Sequence, residues 1–142
     1  MAHKDRLYTN ECRFRRELAT SDACSFCGQC ESINHLLFHC APLKPLWDEL
    51  GNLHEGRTNK LLHIWQGATS NKVRSTLILA ILWNIWKRRN AKVFRQCNQG
   101  THCIIQDAAD DLALWAHRCN NSFKKSLLRD WGSMLYHLAA RL

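Results

Sequence analysis

Four side chains of the types that bind metal ions lie within seventeen positions near the N-terminus: Cys24, Cys27, His35 and Cys40. Their spacing is C-x2-C-x7-H-x4-C. A C-x-x-C turn lets two thiolates reach one ion, and a second pair from a following element completes a tetrahedral shell of sulfur and nitrogen ligands. Because such a shell has no open position, the pattern predicts one structural zinc ion (Zn2+) and no hydrolytic site.

Two neighbouring residues leave the ligand set open. His35 and His39 are four positions apart, so on a regular helix they share a face better than His35 and Cys40 do. Cys40 reaches the ion only if the helix ends there, and Pro42 predicts such an end because it disfavours helix at the preceding residue. Cys30 is a further thiol inside the loop. We therefore expect His35 and Cys40 to be ligands, with His39 as the substitute.

The basic residues are concentrated in one part of the chain. The 142 residues carry a net charge of +8, and no Asp or Glu occurs between Gly56 and Gln106. A stretch of one sign attracts polyanions, so its densest part is predicted to contact the phosphates of RNA or DNA. This basic segment comprises Lys87, Arg88, Arg89, Lys92 and Arg95. The alternative is a solvated helix face that keeps the protein soluble.

Composition limits the class of protein. The N-terminus is polar and lacks an apolar signal core, so eight cysteines indicate a nuclear or cytoplasmic protein that is not secreted. The longest apolar run, from Leu77 to Trp86, is interrupted by Asn84 and is too short for the ~20 residues of a membrane span. There is no glycine-rich phosphate loop, no His-Glu-x-x-His and no carboxylate pair beside a nucleophile. We expect a protein that is not an enzyme.

Helical periodicity dominates the later part of the chain. Three apolar stripes have helical spacing, and they run through residues 73–85, 104–119 and 123–138. Thr101 and Ser122 are the expected N-caps of the last two helices. Shorter helices are expected at 3–19, 43–50 and 60–66. The predicted fold is mostly α, a short zinc knuckle near the N-terminus followed by a small helical bundle, with regions at 1–52 and 57–142.

The aromatic residues of these stripes have two interpretations. Trp86 and Phe26 could stack on unpaired bases. The spacing of the larger set instead favours core packing, since it follows the apolar stripe. That set is Trp47, Trp83, Trp86 and Phe94.

Several of these residues together resemble a known family. Cys24-Ser25-Phe26-Cys27-Gly28-Gln29, then Glu31-Ser32-Ile33-Asn34-His35-Leu36-Leu37-Phe38-His39-Cys40 and Trp47, are similar to the zinc-binding domain that follows reverse transcriptase in plant LINE-type (non-LTR) retrotransposons. Asp5-Arg6-Leu7 resembles the short helix before that knuckle. Leu82-Trp83-Asn84-Ile85-Trp86-Lys87-Arg88-Arg89-Asn90-Ala91-Lys92-Val93-Phe94 resembles the family's Trp-x-x-Trp-x-x-Arg-Asn-x-x-x-Phe block.

The resemblance implies that the closing cysteine, Cys40, is a ligand, and that the nucleic acid is the element's own RNA or its target DNA. The family's polymerase is much longer than this chain, so we expect a retrotransposon-derived tail encoded alone. The alternative is a structural or protein-interaction zinc module that docks a partner reverse transcriptase or nuclease.

Overall fold

The structure, a computed structural model, describes residues 7–54 and 70–142, and it is mostly helical. No strand occurs in these two ranges, so the predicted fold class is confirmed. A short π-type turn (His35–His39) and a 3-10 turn (Ala41–Leu43) follow the first helix. The α-helices are α1 (Asn10–Arg15), α2 (Lys44–His54), α3 (Ser70–Arg95), α4 (Thr101–Arg118) and α5 (Ser122–Ala139).

The first helix is shorter than the predicted 3–19. It begins after Thr9, whose hydroxyl accepts a hydrogen bond from the Cys12 N–H at 3.3 Å. It ends at Arg15, with Arg16 as the C-cap, because the following residue, Glu17, has a φ of 58° and lies in the left-handed region. The start of the predicted range, residues 3–6, lies outside the described residues, as does the whole helix expected at 60–66.

The three apolar stripes form the three long helices, as their spacing predicts. α4 and α5 pack along each other, and α3 packs against α4. Leu77, Ile81, Ile105, Leu112 and Leu135 are among the fully buried residues of this core. The weak helix expected at 43–50 is also present, as α2, which continues to His54.

The helix caps differ from the prediction by one residue each. Asn121, not Ser122, caps α5, because its side-chain oxygen accepts the N–H groups of Phe123 and Lys124. The N-cap of α4 is Gly100, without a side-chain bond. At α5 two adjacent polar residues, Asn121 and Ser122, can each serve as the N-cap, and the sequence does not distinguish them.

The N-terminal segment and the helices share one hydrophobic core. Cys24, Leu37, Cys40, Leu43 and Leu46 are buried in the same cluster as the apolar residues of α3, α4 and α5. The division into regions 1–52 and 57–142 stays a prediction. Among the described residues, no helix has the length and hydropathy to cross a membrane.

Candidate metal centre and basic helix

The first two candidate ligands are held by a tight turn. The Gly28 N–H donates to the Cys24 carbonyl at 2.9 Å, and the Phe26 N–H points at the Cys24 Sγ at 3.5 Å. Gly28 has a φ of 81°, which a glycine adopts without the steric cost of a Cβ. An isolated antiparallel bridge between Ala23 and Cys30 closes the base of the turn. The turn therefore presents Cys24 and Cys27 on one side.

The second pair comes from the π-type turn. A turn with i→i+5 hydrogen bonds has more residues per turn than an α-helix, so a residue five positions on can also come to the same side. His35 begins this turn and Cys40 follows it in extended backbone (φ −65°, ψ 128°). The turn and the extended backbone after it bring Cys40 together with His35, and His39 is exposed.

The four side chains converge on one point. The ligand atoms of Cys24, Cys27, His35 and Cys40 all lie within 4.8 Å of one another and could hold a metal ion. The Sγ atoms of Cys24 and Cys40 are 3.8 Å apart, and the Cys27 Sγ is 3.1 Å from the His35 Nε2. Cys30 is exposed and, like His39, lies outside this group. We call these four residues the metal cluster.

The surroundings of the metal cluster disfavour free thiolates. Burial raises the pKa of the Cys24 and Cys40 thiols, and the charge of neighbouring thiolates raises the pKa of Cys40 further. A cation at the centre of the group would offset this cost, since metal binding displaces the thiol protons.

Arg88 supplies a fixed positive charge close to the metal cluster. Its guanidinium stacks on the Phe26 ring at 4.0 Å, and its Nε donates to the Gln99 carbonyl at 2.9 Å. Burial lowers the pKa of Arg88, while negative charge on Cys40 and Cys24 opposes that shift. Arg88 is only 7% exposed, so its contacts are with the knuckle and not with solvent.

Arg89 is fully buried (0% exposed) and pairs with Glu31. Its Nε and one Nη donate to the Glu31 Oε1 at 3.1 and 2.7 Å, and the same Nη donates to the Asn10 Oδ1 at 3.0 Å. The remaining Nη donates to the Asn90 side chain. The guanidinium groups of Arg88 and Arg89 therefore lie inside the protein, which argues against their predicted contacts with phosphate.

The Glu31 carboxylate connects three parts of the structure. Its Oε1 also accepts the Asn10 N–H at 2.7 Å, so the start of α1, the knuckle and α3 meet at one oxygen. Its other oxygen, Oε2, is buried and accepts no hydrogen bond from the described residues. The sequence signal for this role was weak. Glu31 stood out only as the acidic residue before the His-Leu-Leu stretch.

The other three members of the basic segment remain accessible. Lys87 and Arg95 are exposed, and Lys92 is partly exposed with its Nζ 5.4 Å from the Phe26 ring centroid. Within the described part of the chain, neither Lys87 nor Arg95 forms an ion pair with a carboxylate. The accessible positive charge of α3 is therefore smaller than the sequence predicts.

Two of the four aromatic residues expected in the core are on the surface. Trp83 is 53% exposed and Phe94 is 60% exposed. Trp47 and Trp86 are partly buried, and the Trp47 Nε1 donates to the Leu37 carbonyl at 3.0 Å. Arg13 of α1, which no sequence pattern singles out, has its guanidinium 5.1 Å from the Phe94 ring centroid.

Comparison of the chain with models of protein families, with curated proteins and with solved structures gives no match.

Proposed function

We propose that the metal cluster binds a single zinc ion. Two sulfur ligands of a tetrahedral zinc with Zn–S bonds of about 2.3 Å lie about 3.8 Å apart. The Sγ atoms of Cys24 and Cys40 have this separation, 3.8 Å. Cys27 and His35, now at 3.1 Å, would move apart by about half an ångström to span a sulfur–nitrogen edge. The convergence of these four side chains is the observation that carries the proposal.

The role of this zinc is structural and not catalytic. Three thiolates and one imidazole fill a tetrahedral shell, so no position is left for water or substrate. Three thiolate charges around a divalent ion leave one net negative charge, and the buried Arg88 beside the knuckle balances it. Its contacts with Phe26 and Gln99 also tie the C-x-x-C turn to α3 and to the α3–α4 loop.

We propose that the zinc-stabilised knuckle and α3 together bind nucleic acid, RNA or DNA. α3 contains no Asp or Glu, so its accessible surface, with the exposed Lys87 and Arg95 and the partly exposed Lys92, carries no negative charge of its own. Such a surface gains affinity for phosphate through the release of counterions. The resemblance to the retrotransposon zinc-binding domain supports the same proposal, in which the chain is a retrotransposon-derived zinc-binding module.

Salt dependence tests this part of the proposal. The logarithm of the affinity for a labelled oligonucleotide should fall linearly with the logarithm of the salt concentration, and each lost phosphate contact should lower the slope by about 1. The variant Lys87→Gln/Arg95→Gln should flatten the slope. The matched control, Arg118→Gln/Arg129→Gln, removes two exposed cations from α4 and α5 and should leave it unchanged. Equal slopes for the two variants would contradict the assignment to α3.

A second candidate function is a structural module that docks a partner reverse transcriptase or nuclease. One observation favours it. α3 presents a partly exposed apolar stripe, in which Leu79 is 62% exposed, Trp83 is exposed and Ile78, Leu82 and Trp86 are partly buried. Nucleic-acid binding that is undetectable, or that does not respond to salt, would favour this second function.

A further inference from the structure

One face of α3 carries aromatic and cationic side chains in alternation. At 100° per residue, Trp83, Lys87 and Phe94 lie within about 40° of one another around the helix. All three are exposed, and the two aromatic residues are more than half exposed. Phe94 lies eleven positions after Trp83, so the two residues are about 16 Å apart along the helix axis. We call this set the outer face of α3.

A second element adds charge at one end of this face. Arg13 of α1 places its guanidinium 5.1 Å from the centroid of the Phe94 ring, and the buried Arg89 lies 5.8 Å from the same centroid. Arg13 is also fixed by a hydrogen bond of 3.1 Å from its Nη to the Asn10 Oδ1. The Phe94 ring is thus held beside two cations while most of its surface remains open. An aromatic ring that is already oriented loses less side-chain entropy when it stacks on a ligand.

We propose that the outer face of α3 binds single-stranded nucleic acid, with bases stacked on Phe94 and Trp83 and phosphates contacted by Lys87 and Arg13. This inference rests on the proposed nucleic-acid binding and specifies its substrate class. A duplex encloses the faces of its bases, so it could use only the cations of this surface. A single strand can use the exposed rings as well, and stacking on aromatic side chains is tolerant of sequence.

The dimensions of the face agree with a short strand. At the ~3.4 Å step of a stacked strand, 16 Å corresponds to about five nucleotides. Single-strand sites of about 4–16 nucleotides are common for surfaces that combine a cationic track with stacking rings. Apolar side chains alone would suit a protein partner. Here Lys87 separates the two exposed rings and no carboxylate lies on the helix, which favours a polyanion.

The test compares three fluorescent probes of the same length, about 12 nucleotides: an oligothymidylate, a duplex, and an abasic strand with the phosphates but no bases. Binding to the full zinc-loaded chain is followed by anisotropy at low salt. Phe94→Leu and Trp83→Leu should each weaken oligothymidylate binding roughly 5- to 150-fold, the range for the loss of one base–aromatic stack. Neither variant should change binding to the abasic strand or the duplex. Phe123→Leu is the matched control, since Phe123 is a 57% exposed aromatic residue on α5.

The outcomes separate this inference from the function on which it rests. Loss of oligothymidylate binding in Phe94→Leu and not in Phe123→Leu, with equal melting temperatures, supports it. Equal binding of strand and duplex, with Phe94→Leu behaving like Phe123→Leu, overturns it and leaves nucleic-acid binding in place. Failure of all three probes to bind at low salt overturns both, and the outer face would then suit a protein partner.

Discussion

The buried ion pair between Glu31 and Arg89 should be a main determinant of stability. Both side chains are fully buried and their closest atoms are 2.7 Å apart. Glu31→Gln would leave the Arg89 charge buried without a counterion. Arg89→Met would leave the Glu31 carboxylate buried without a counterion. Removal of one partner from such a pair costs about 3–5 kcal/mol.

The double variant distinguishes the ion pair from ordinary side-chain packing. Glu31→Gln/Arg89→Met contains no buried charge, and the side-chain carbonyl of the introduced glutamine can still accept the Asn10 N–H that Glu31 accepts at 2.7 Å. Its loss of stability should therefore be about 2–3 kcal/mol smaller than the sum of the two single losses, a coupling energy typical of contacting residues. Each single variant should lower the melting temperature by roughly 10 to 20 °C for a chain of this size.

Urea denaturation of the zinc-loaded protein, followed by circular dichroism, measures these free energies of unfolding. Lys44→Gln is the internal control, because Lys44 pairs with Asp48 at 3.0 Å on an exposed helix surface and should cost less than about 1 kcal/mol. Single losses below about 1 kcal/mol for Glu31→Gln and Arg89→Met, like that of the control, would refute the account of a buried pair. A coupling energy near zero between Glu31→Gln and Arg89→Met would also refute the account of a buried pair.

Two further variants test the turn and the core. Gly28→Ala places a Cβ at a residue with a φ of 81°, which should destabilise the metal-bound turn by about 1–2 kcal/mol. Zinc affinity, measured by competition with a chelator, should therefore fall roughly tenfold. An unchanged affinity would show that the left-handed backbone is not needed. Leu112→Ala empties a fully buried position between helices and should lower the free energy of unfolding by about 2–5 kcal/mol in urea, with zinc content unchanged. A loss of zinc in Leu112→Ala would indicate that the core and the metal cluster do not act independently.

The features predicted from sequence are those set by local pattern. Helical periodicity placed α3, α4 and α5, and the spacing of the C-x-x-C turn identified the residues that converge. The ligand choice between His39 and Cys40 stayed open, because it depends on whether the backbone after His35 forms an α-type or a π-type turn. Pro42 indicated only that the helix ends.

Local pattern could not predict which basic side chains of α3 face solvent. Residues 87–95 contain five cations in nine positions, and charge alone does not distinguish a side chain that faces solvent from one that meets a carboxylate distant in sequence. Arg89 pairs with Glu31, 58 positions away, so a tertiary contact determines its role. Phe94 is the reverse case. Its apolar character predicted burial, yet it lies on the outside of α3 beside Arg13.

The most direct test of the account is the zinc content of the purified chain and of four single variants. We expect one zinc ion per chain for the wild type and none bound stoichiometrically in Cys24→Ser and Cys40→Ser. Cys30→Ser and His39→Ala should each retain one zinc ion, because these side chains lie outside the metal cluster. A wild-type chain without stoichiometric zinc would contradict the central claim. So would a Cys40→Ser variant that retains the ion while His39→Ala loses it, because the ligands would then be those of a regular helix.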